Sequence, residues 1–233
     1  MLAYYTCFFG NQINSNGLPN WSWLGPPPVP STENPCFFFT NNQEMASMLE
    51  GTGWKTVWVD IPIHNDSTLD RMNTKELRTC PHRFPILQEY EYLCWFDNKL
   101  KVDSEKINAL VTELQTSSNC IVLNKHPYQF STVWGEYEEA NKHAHYAIHK
   151  DSYKAYIERK LASGISELLP VHYCGGFHIR KMTDPRAARF GEEWLKDILE
   201  CGIEDQISLQ FVHQRFSDCI VGIEYQACWT YNF

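Results

Sequence analysis

Apolar and aromatic residues run from Tyr92 through Leu93, Cys94, Trp95 and Phe96 to a carboxylate at Asp97. Asn98 and Lys99 follow at once, and the chain turns apolar again at Leu100. A carboxylate at the end of a buried strand can hold a divalent cation against a diphosphate leaving group. It can equally open an Asp-Asn turn between two short strands, and spacing alone leaves both readings open. Asp60 closes an earlier apolar run, WKTVWVDIP, in the same way. If the two runs are parallel strands, both carboxylates line one crevice beyond the strand ends.

The cations nearby have a pattern of their own. Arg71, Lys75 and Arg78 recur at roughly helical spacing, with His82 following in CPHRF. One face carrying these groups can meet the phosphates of a nucleotide, or it can be a solvated helix surface. His143, His145 and His149 lie in NKHAHYAIHK. The last two have a spacing that can bind zinc on a helix, but no Glu completes a hydrolase motif and no Cys is close, so a polar helix surface is expected. His126, Glu136, Glu138 and Glu139 follow an apolar run, where acidic residues suit the start of a helix. In Glu204-Asp205-Gln206, Asp205 reads either as a helix cap or as an active-site carboxylate, and a base must lie within about 3 Å of the proton it removes.

The elements that must position these groups are legible as alternating segments. LAYYTCFFG (2–10), PCFFFTNN (35–42) and WKTVWVDIP (54–62) are too apolar on both faces for an exposed hairpin and read as buried strands. SNGLPNWSWLGPPPVPSTENP (15–35) is punctuated by Pro and Gly and reads as a long loop. NQEMASMLEGTG predicts a short helix ended by Gly51 or Gly53. STLDRMNTKELRTC predicts another, capped from Asn65, Asp66 or Ser67 and stopped by Pro81 and Pro85. Then come the strand YLCWFD, a helix capped by Asp103 or Ser104 with Ile107, Leu110, Val111 and Leu114 on one face, and the strand NCIVLN (119–124). Residues 132–163 read as helical, HYCGGFHIRKM (172–182) as a late strand with a glycine break, and 184–202 as a helix with Pro185 at its first position. A last helix starts at EDQISLQFV. Strand and helix alternate, which predicts a single α/β domain with a mainly parallel sheet flanked by helices.

Composition narrows the function classes. The chain has 233 residues, 43% hydrophobic and 14% aromatic, enough for a sizeable core. A net charge of -8 argues against general affinity for nucleic acid or an anionic membrane, so an anionic ligand must be held by a local group of cations. No apolar run reaches the roughly 20 residues of a transmembrane helix, and the first residues lack the pattern of a signal peptide. A soluble, cytoplasmic chain is expected. Nine cysteines, all single and mostly within apolar runs, favour reduced thiols in a reducing compartment.

Taken in order, YLCWFDNKLKV, KHPYQFSTVWGEYEEANKH and EDQISLQFV resemble the sequential motifs of the glycosyltransferase-like family found in plant mucilage-biosynthesis proteins and in bacterial and viral homologues. KELRTCPHRFP is similar to the segment that precedes them, and the resemblance spans most of the chain, to about Phe216. It implies a GT-A-like, Rossmann-type fold with a nucleotide-sugar-binding half (1–125) and an acceptor-side half (126–233). It also implies transfer of a sugar from a nucleotide-sugar donor to a glycan or other hydroxyl acceptor. By position Asp97 corresponds to the metal-binding carboxylate of GT-A enzymes, Lys75 and His82 to basic positions before it, and Asp205 with Gln206 to the late acidic motif. The expected donor-binding set is Asp60, Arg71, Lys75, His82, Asp97 and Lys99. Asp205 and Gln206 are the expected catalytic pair, and His126, Glu136 and Glu139 the acceptor-side residues. The expected cofactor is a divalent cation, Mn2+ or Mg2+. The sequence departs from the family at Asn98 and Lys99, which leave no second carboxylate, and at Gln129, where an arginine is common. A metal at Asp97 then needs the donor diphosphate or a late histidine such as His213 to complete it, while Lys99 offers to offset diphosphate charge directly. Two other readings stay open: a metal-dependent hydrolase of a lipid or ester substrate using Asp97 with histidines, and a sugar-binding module without turnover.

Overall fold

The structure, a computed structural model, describes residues 1–11, 26–64 and 67–232. Seven strands form the central sheet: β1 (Leu2–Phe8), β2 (Cys36–Thr40), β3 (Lys55–Trp58), β4 (Tyr92–Phe96), β6 (Ile121–Lys125), β7 (Tyr173–Lys181) and β8 (Ile220–Ile223). Their order is β3-β2-β1-β4-β7-β6-β8, and β5 (Leu100–Val102) pairs with β9 (Trp229–Tyr231) in a small separate ribbon. The β1–β2, β1–β4, β2–β3 and β6–β8 pairs are parallel, whereas β7 runs antiparallel to both β4 and β6. The sheet is therefore mainly parallel, with one reversed strand near its middle.

Why β1, β2 and β4 carry almost no polar residue is clear from their two faces. Leu2, Tyr4 and Phe8, with Cys36, Phe38, Cys94 and Phe96, pack on one side, against Met45 and Leu49 of helix α1 (Gln43–Leu49) and Ile107, Val111 and Leu114 of α3 (Ser104–Thr116). Ala3, Tyr5, Cys7, Phe37, Phe39, Leu93 and Trp95 face the other side, where Leu77 of α2 (Ser67–Thr79) joins them. Period-two alternation thus feeds two cores at once. Each large side chain buried this way contributes roughly 1.5–3 kcal/mol.

β3 differs from the expectation of a buried strand. It is the edge of the sheet, and Lys55, Thr56 and Trp58 are exposed. Residues 15–25 of the expected long loop, and the proposed caps Asn65 and Asp66, lie outside the described residues. Asp103 caps α3 by accepting from the backbone of Glu105 and Lys106, as its position predicts.

The stretch 132–163 is three helices: α4 (Val133–Ala140), α5 (Ala144–Ala147) and α6 (Lys150–Ala162). α7 (Pro185–Cys201) and α8 (Asp205–Val212) complete the layer that covers β6 and β7, with Phe190, Trp194, Ile198 and Leu209 buried against Ile121 and Leu123. The residue capping α8 is Glu204, which accepts from the Gln206 backbone, and Asp205 is the first helical residue. All nine cysteines are buried and free. Among the described residues no helix is long and apolar enough to cross a membrane.

Candidate functional site

Beyond the carboxyl ends of β1 and β4 the sheet opens into a cleft of about 610 Å³. Its lining mixes charges: Arg71, Lys75 and Arg78 of α2 and Lys99 after β4 share it with Asp97, Glu136, Glu139, Glu204 and Asp205, beside His126, Tyr128 and Tyr146.

Asp97 is fixed by its backbone, which donates to the Gly176 carbonyl (2.8 Å) and accepts from Leu100 N–H (2.9 Å). A Cβ on Gly176 would sit 3.1 Å from Asp97 Oδ2, a tight contact that the carboxylate would have to shift by a few tenths of an ångström to relieve. Two cations flank the carboxylate: Arg78 Nη1 lies 3.9 Å from Oδ1 and Lys99 Nζ 3.7 Å from Oδ2. The Asn98 amide donates to the Cys7 carbonyl at 3.0 Å and so ties the turn to the end of β1.

Asp205 is buried beneath them. Lys75 Nζ donates to Oδ2 at 2.9 Å and the Arg78 guanidinium meets the same oxygen, while Trp194 Nε1 donates to the Asp205 carbonyl at 3.2 Å. Arg78 also lies over the Trp194 ring, 5.2 Å from its centre. Burial, reinforced by Arg78, pulls the Lys75 ammonium well below its usual range, and the Glu204 and Asp97 charges oppose this loss. The carboxylate expected to act as catalyst thus spends Oδ2 on holding two cations.

A second buried pair reaches the cleft through Glu136. His172 Nε2 is 2.7 Å from Glu136 Oε2, with the two side chains 0% and 4% exposed. Gln206 donates to Glu136 Oε1 at 3.0 Å. Glu204 is pushed up to about 7, first by burial and then by the Glu136 charge. Its neighbour Tyr146 is raised chiefly by the Glu204 carboxylate. Burial lowers His126, whose ring stacks on His172 at 4.5 Å. Glu139 is held by Lys142 at 2.5 Å.

The cleft therefore gathers Arg71, Lys75, Asp97, Lys99, His126, Glu136, Glu139, Asp205 and Gln206 from the sequence-derived set. Three expected residues lie outside its lining. Asp60 is exposed beyond the end of β3. His82 sits in the turn Pro81–Arg83 with its Nε2 2.7 Å from Glu192. His213 is buried beside Tyr173, ring centres 5.0 Å apart, and burial lowers it to about 4. Arg78, His172, Glu204 and Tyr146 belong to the site but were not in the expected set. Arg78 had a sequence signal, its spacing from Lys75; the others depend on chain reversals with no local signature.

The expected divalent cation can be tested against these residues. Among the described residues, the groups of three ligand atoms close enough to share an ion are Cys80, His82 and Glu192, and His126, Glu136 and His172. Neither includes Asp97 or His213. In the first, Arg83 already grips Glu192 through two guanidinium nitrogens. In the second, the ligand atoms lie within 4.8 Å of one another, with both imidazole Nδ1 atoms already facing the Tyr128 carbonyl. Around Asp97 itself the neighbours are ammonium and guanidinium groups. The expected Asp97 and His213 pair does not fit a divalent cation.

No protein-family model matches the sequence, and no curated protein matches it. Among solved structures the chain is similar to mouse xyloside xylosyltransferase 1 in its apo form, with a TM-score of 0.54 and 11% identity over 94% of this chain and 84% of that one. At that identity the likeness concerns the fold, and the fold is GT-A-like.

Proposed function

We propose that this protein is a glycosyltransferase that moves a sugar from a nucleotide-sugar donor to a hydroxyl acceptor. The observation carrying this reading is one cleft at the strand ends that gathers four cations, Arg71, Lys75, Arg78 and Lys99, together with the carboxylates Asp97, Glu136, Glu139, Glu204 and Asp205. A diphosphate suits the cations and an acceptor hydroxyl suits a carboxylate. The sequence motifs and the GT-A-like fold, shared with a xylosyltransferase, support the same class.

In this reading the acceptor oxygen attacks the anomeric carbon with its lone pair. The bond from that carbon to the diphosphate oxygen breaks, and its electron pair leaves with the phosphate. Arg71, Arg78 and Lys99 meet the charge that develops there. Asp205 keeps Lys75 and Arg78 in place, and Gln206 holds Glu136. The hydroxyl proton passes to Glu204, whose carboxylate is tuned near neutrality. Residues 1–125 supply the cations, while Glu136, Glu139 and Glu204 come from 126–233.

The test is a thermal-shift panel of UDP-, GDP-, CMP- and dTDP-sugars, followed by product analysis with simple glycans and alcohols. Stabilisation by one donor and formation of a glycosylated product are expected. Binding without transfer would instead make the chain a sugar-nucleotide-binding module, and no binding by any donor would overturn the proposal.

A further inference from the structure

The cations do more than line a cleft. In the usual arrangement of a metal-assisted transferase, carboxylates face the diphosphate and an ion bridges them. Here the sole carboxylate at the end of β4 is Asp97, and its two oxygens already face Arg78 Nη1 at 3.9 Å and Lys99 Nζ at 3.7 Å. Asn98 cannot substitute for a second carboxylate, since its amide is turned to the Cys7 carbonyl. Asp205 meets Lys75 and Arg78 through Oδ2. A divalent ion placed at Asp97 would meet two positive groups before it met a second ligand.

The same residues suit an anion. Arg71 lines the cleft and makes no ion pair among the described residues, so its guanidinium is available for bidentate contact with phosphate oxygens. Lys99 is half exposed, held only by the long contact to Asp97. Of the four cations lining the cleft, Lys75 and Arg78 are matched by Asp205, whereas Arg71 and Lys99 have no carboxylate within hydrogen-bond distance among the described residues. In a chain whose net charge is -8, these two are the charges that an anionic ligand would neutralise.

We infer that this cleft binds a diphosphate directly through Arg71, Arg78 and Lys99 and without a divalent cation, Lys99 standing where a metal would otherwise offset the charge. The inference rests on the transferase reading for the identity of the diphosphate as a nucleotide sugar, but the anion site can be tested by itself.

The experiment is isothermal titration of the full chain with inorganic pyrophosphate and with UDP, GDP, CDP and dTDP, each in EDTA and again with manganese. Pyrophosphate and at least one nucleotide should bind in EDTA with a Kd within about twofold of that in manganese. Arg71→Gln and Lys99→Gln should each weaken binding about tenfold or more. Neither side chain supports the core, so their melting temperatures should stay near that of the parent. Lys99→Asp, which supplies the absent second carboxylate, should lose binding in EDTA and regain it with manganese. Wild-type binding only in manganese would overturn the inference and leave the transferase proposal standing. Pyrophosphate binding in EDTA without binding of any nucleotide or nucleotide sugar would uphold the anion site and overturn the transferase proposal. No binding in either buffer would overturn both.

Discussion

His172 and Glu136 meet across 2.7 Å with essentially no access to water. His172 Nδ1 faces the Tyr128 carbonyl at 2.9 Å, so that nitrogen must carry a hydrogen. Replacing His172 by Leu leaves the Glu136 carboxylate buried without its partner, at an expected cost of about 3–5 kcal/mol. Glu136→Gln is different. Its amide can donate to His172 while its carbonyl still accepts from Gln206, so urea denaturation should show a loss of less than about 1 kcal/mol. Equal stability losses in the two variants would refute this account of the pair.

Asp205 offers a second test of the same physics. It neutralises two buried cations, Lys75 and Arg78. Asp205→Asn keeps the shape and removes the charge, and should destabilise the fold by about 3–5 kcal/mol. Lys75→Met leaves Arg78 to satisfy Asp205 and should cost less. The order of the two urea midpoints decides the matter, and a Lys75→Met variant less stable than Asp205→Asn would contradict it.

How far these relationships could be read in the sequence depends on their range. β1, β2 and β4 were legible because burial on both faces leaves continuous apolar runs, and α3 because Asp103 caps a regular stripe. Asp97 stood out because it interrupts such a run. The exposure of β3 was not legible, since an edge strand can keep an apolar composition while one side loses its cover. The pairs that build the site span long separations: Lys75 to Asp205 bridges 130 positions and Gln206 to Glu136 bridges 70. No local periodicity encodes them. In Glu204-Asp205-Gln206 the sequence singles out Asp205, and the special character of Glu204 comes from burial beside Glu136, which only the folded chain provides.

Gly175 controls the seating of Trp194. A Cβ added there would lie 2.7 Å from Trp194 Cη2 and 2.9 Å from Cζ2, and the indole is fully buried between Phe190 and the Arg78 guanidinium. The ring cannot retreat without disturbing its bond to the Asp205 carbonyl. Gly175→Ala should therefore destabilise the fold by about 1–3 kcal/mol and weaken pyrophosphate binding by shifting Arg78. A variant with parental melting temperature and parental affinity would show that the indole has room the present packing does not reveal.

Glu204 links stability and rate to pH. In the folded chain it keeps its proton up to about 7, against an ordinary value of 4.5. Between these two values the native state binds a proton that the unfolded state has released, so stability falls as pH rises through the window and levels off above it. Glu204→Gln removes the cost of burying the charge while its amide oxygen can still accept from the Gln206 backbone, 3.0 Å away in the parent. The variant should match the parent at about pH 4 and exceed it at about pH 8, by an amount on the order of 3 kcal/mol at most. If Glu204 receives the acceptor proton, transfer by the parent should rise with pH through an apparent pKa near 7 and be lost in Glu204→Gln. Glu136→Gln removes the neighbouring charge that helps hold Glu204 protonated, and should move that limb to lower pH. Calorimetry across pH and a pH–rate profile of the three proteins check both halves. A rate profile unmoved by Glu136→Gln would remove Glu204 from the proton path even if the stability difference were found.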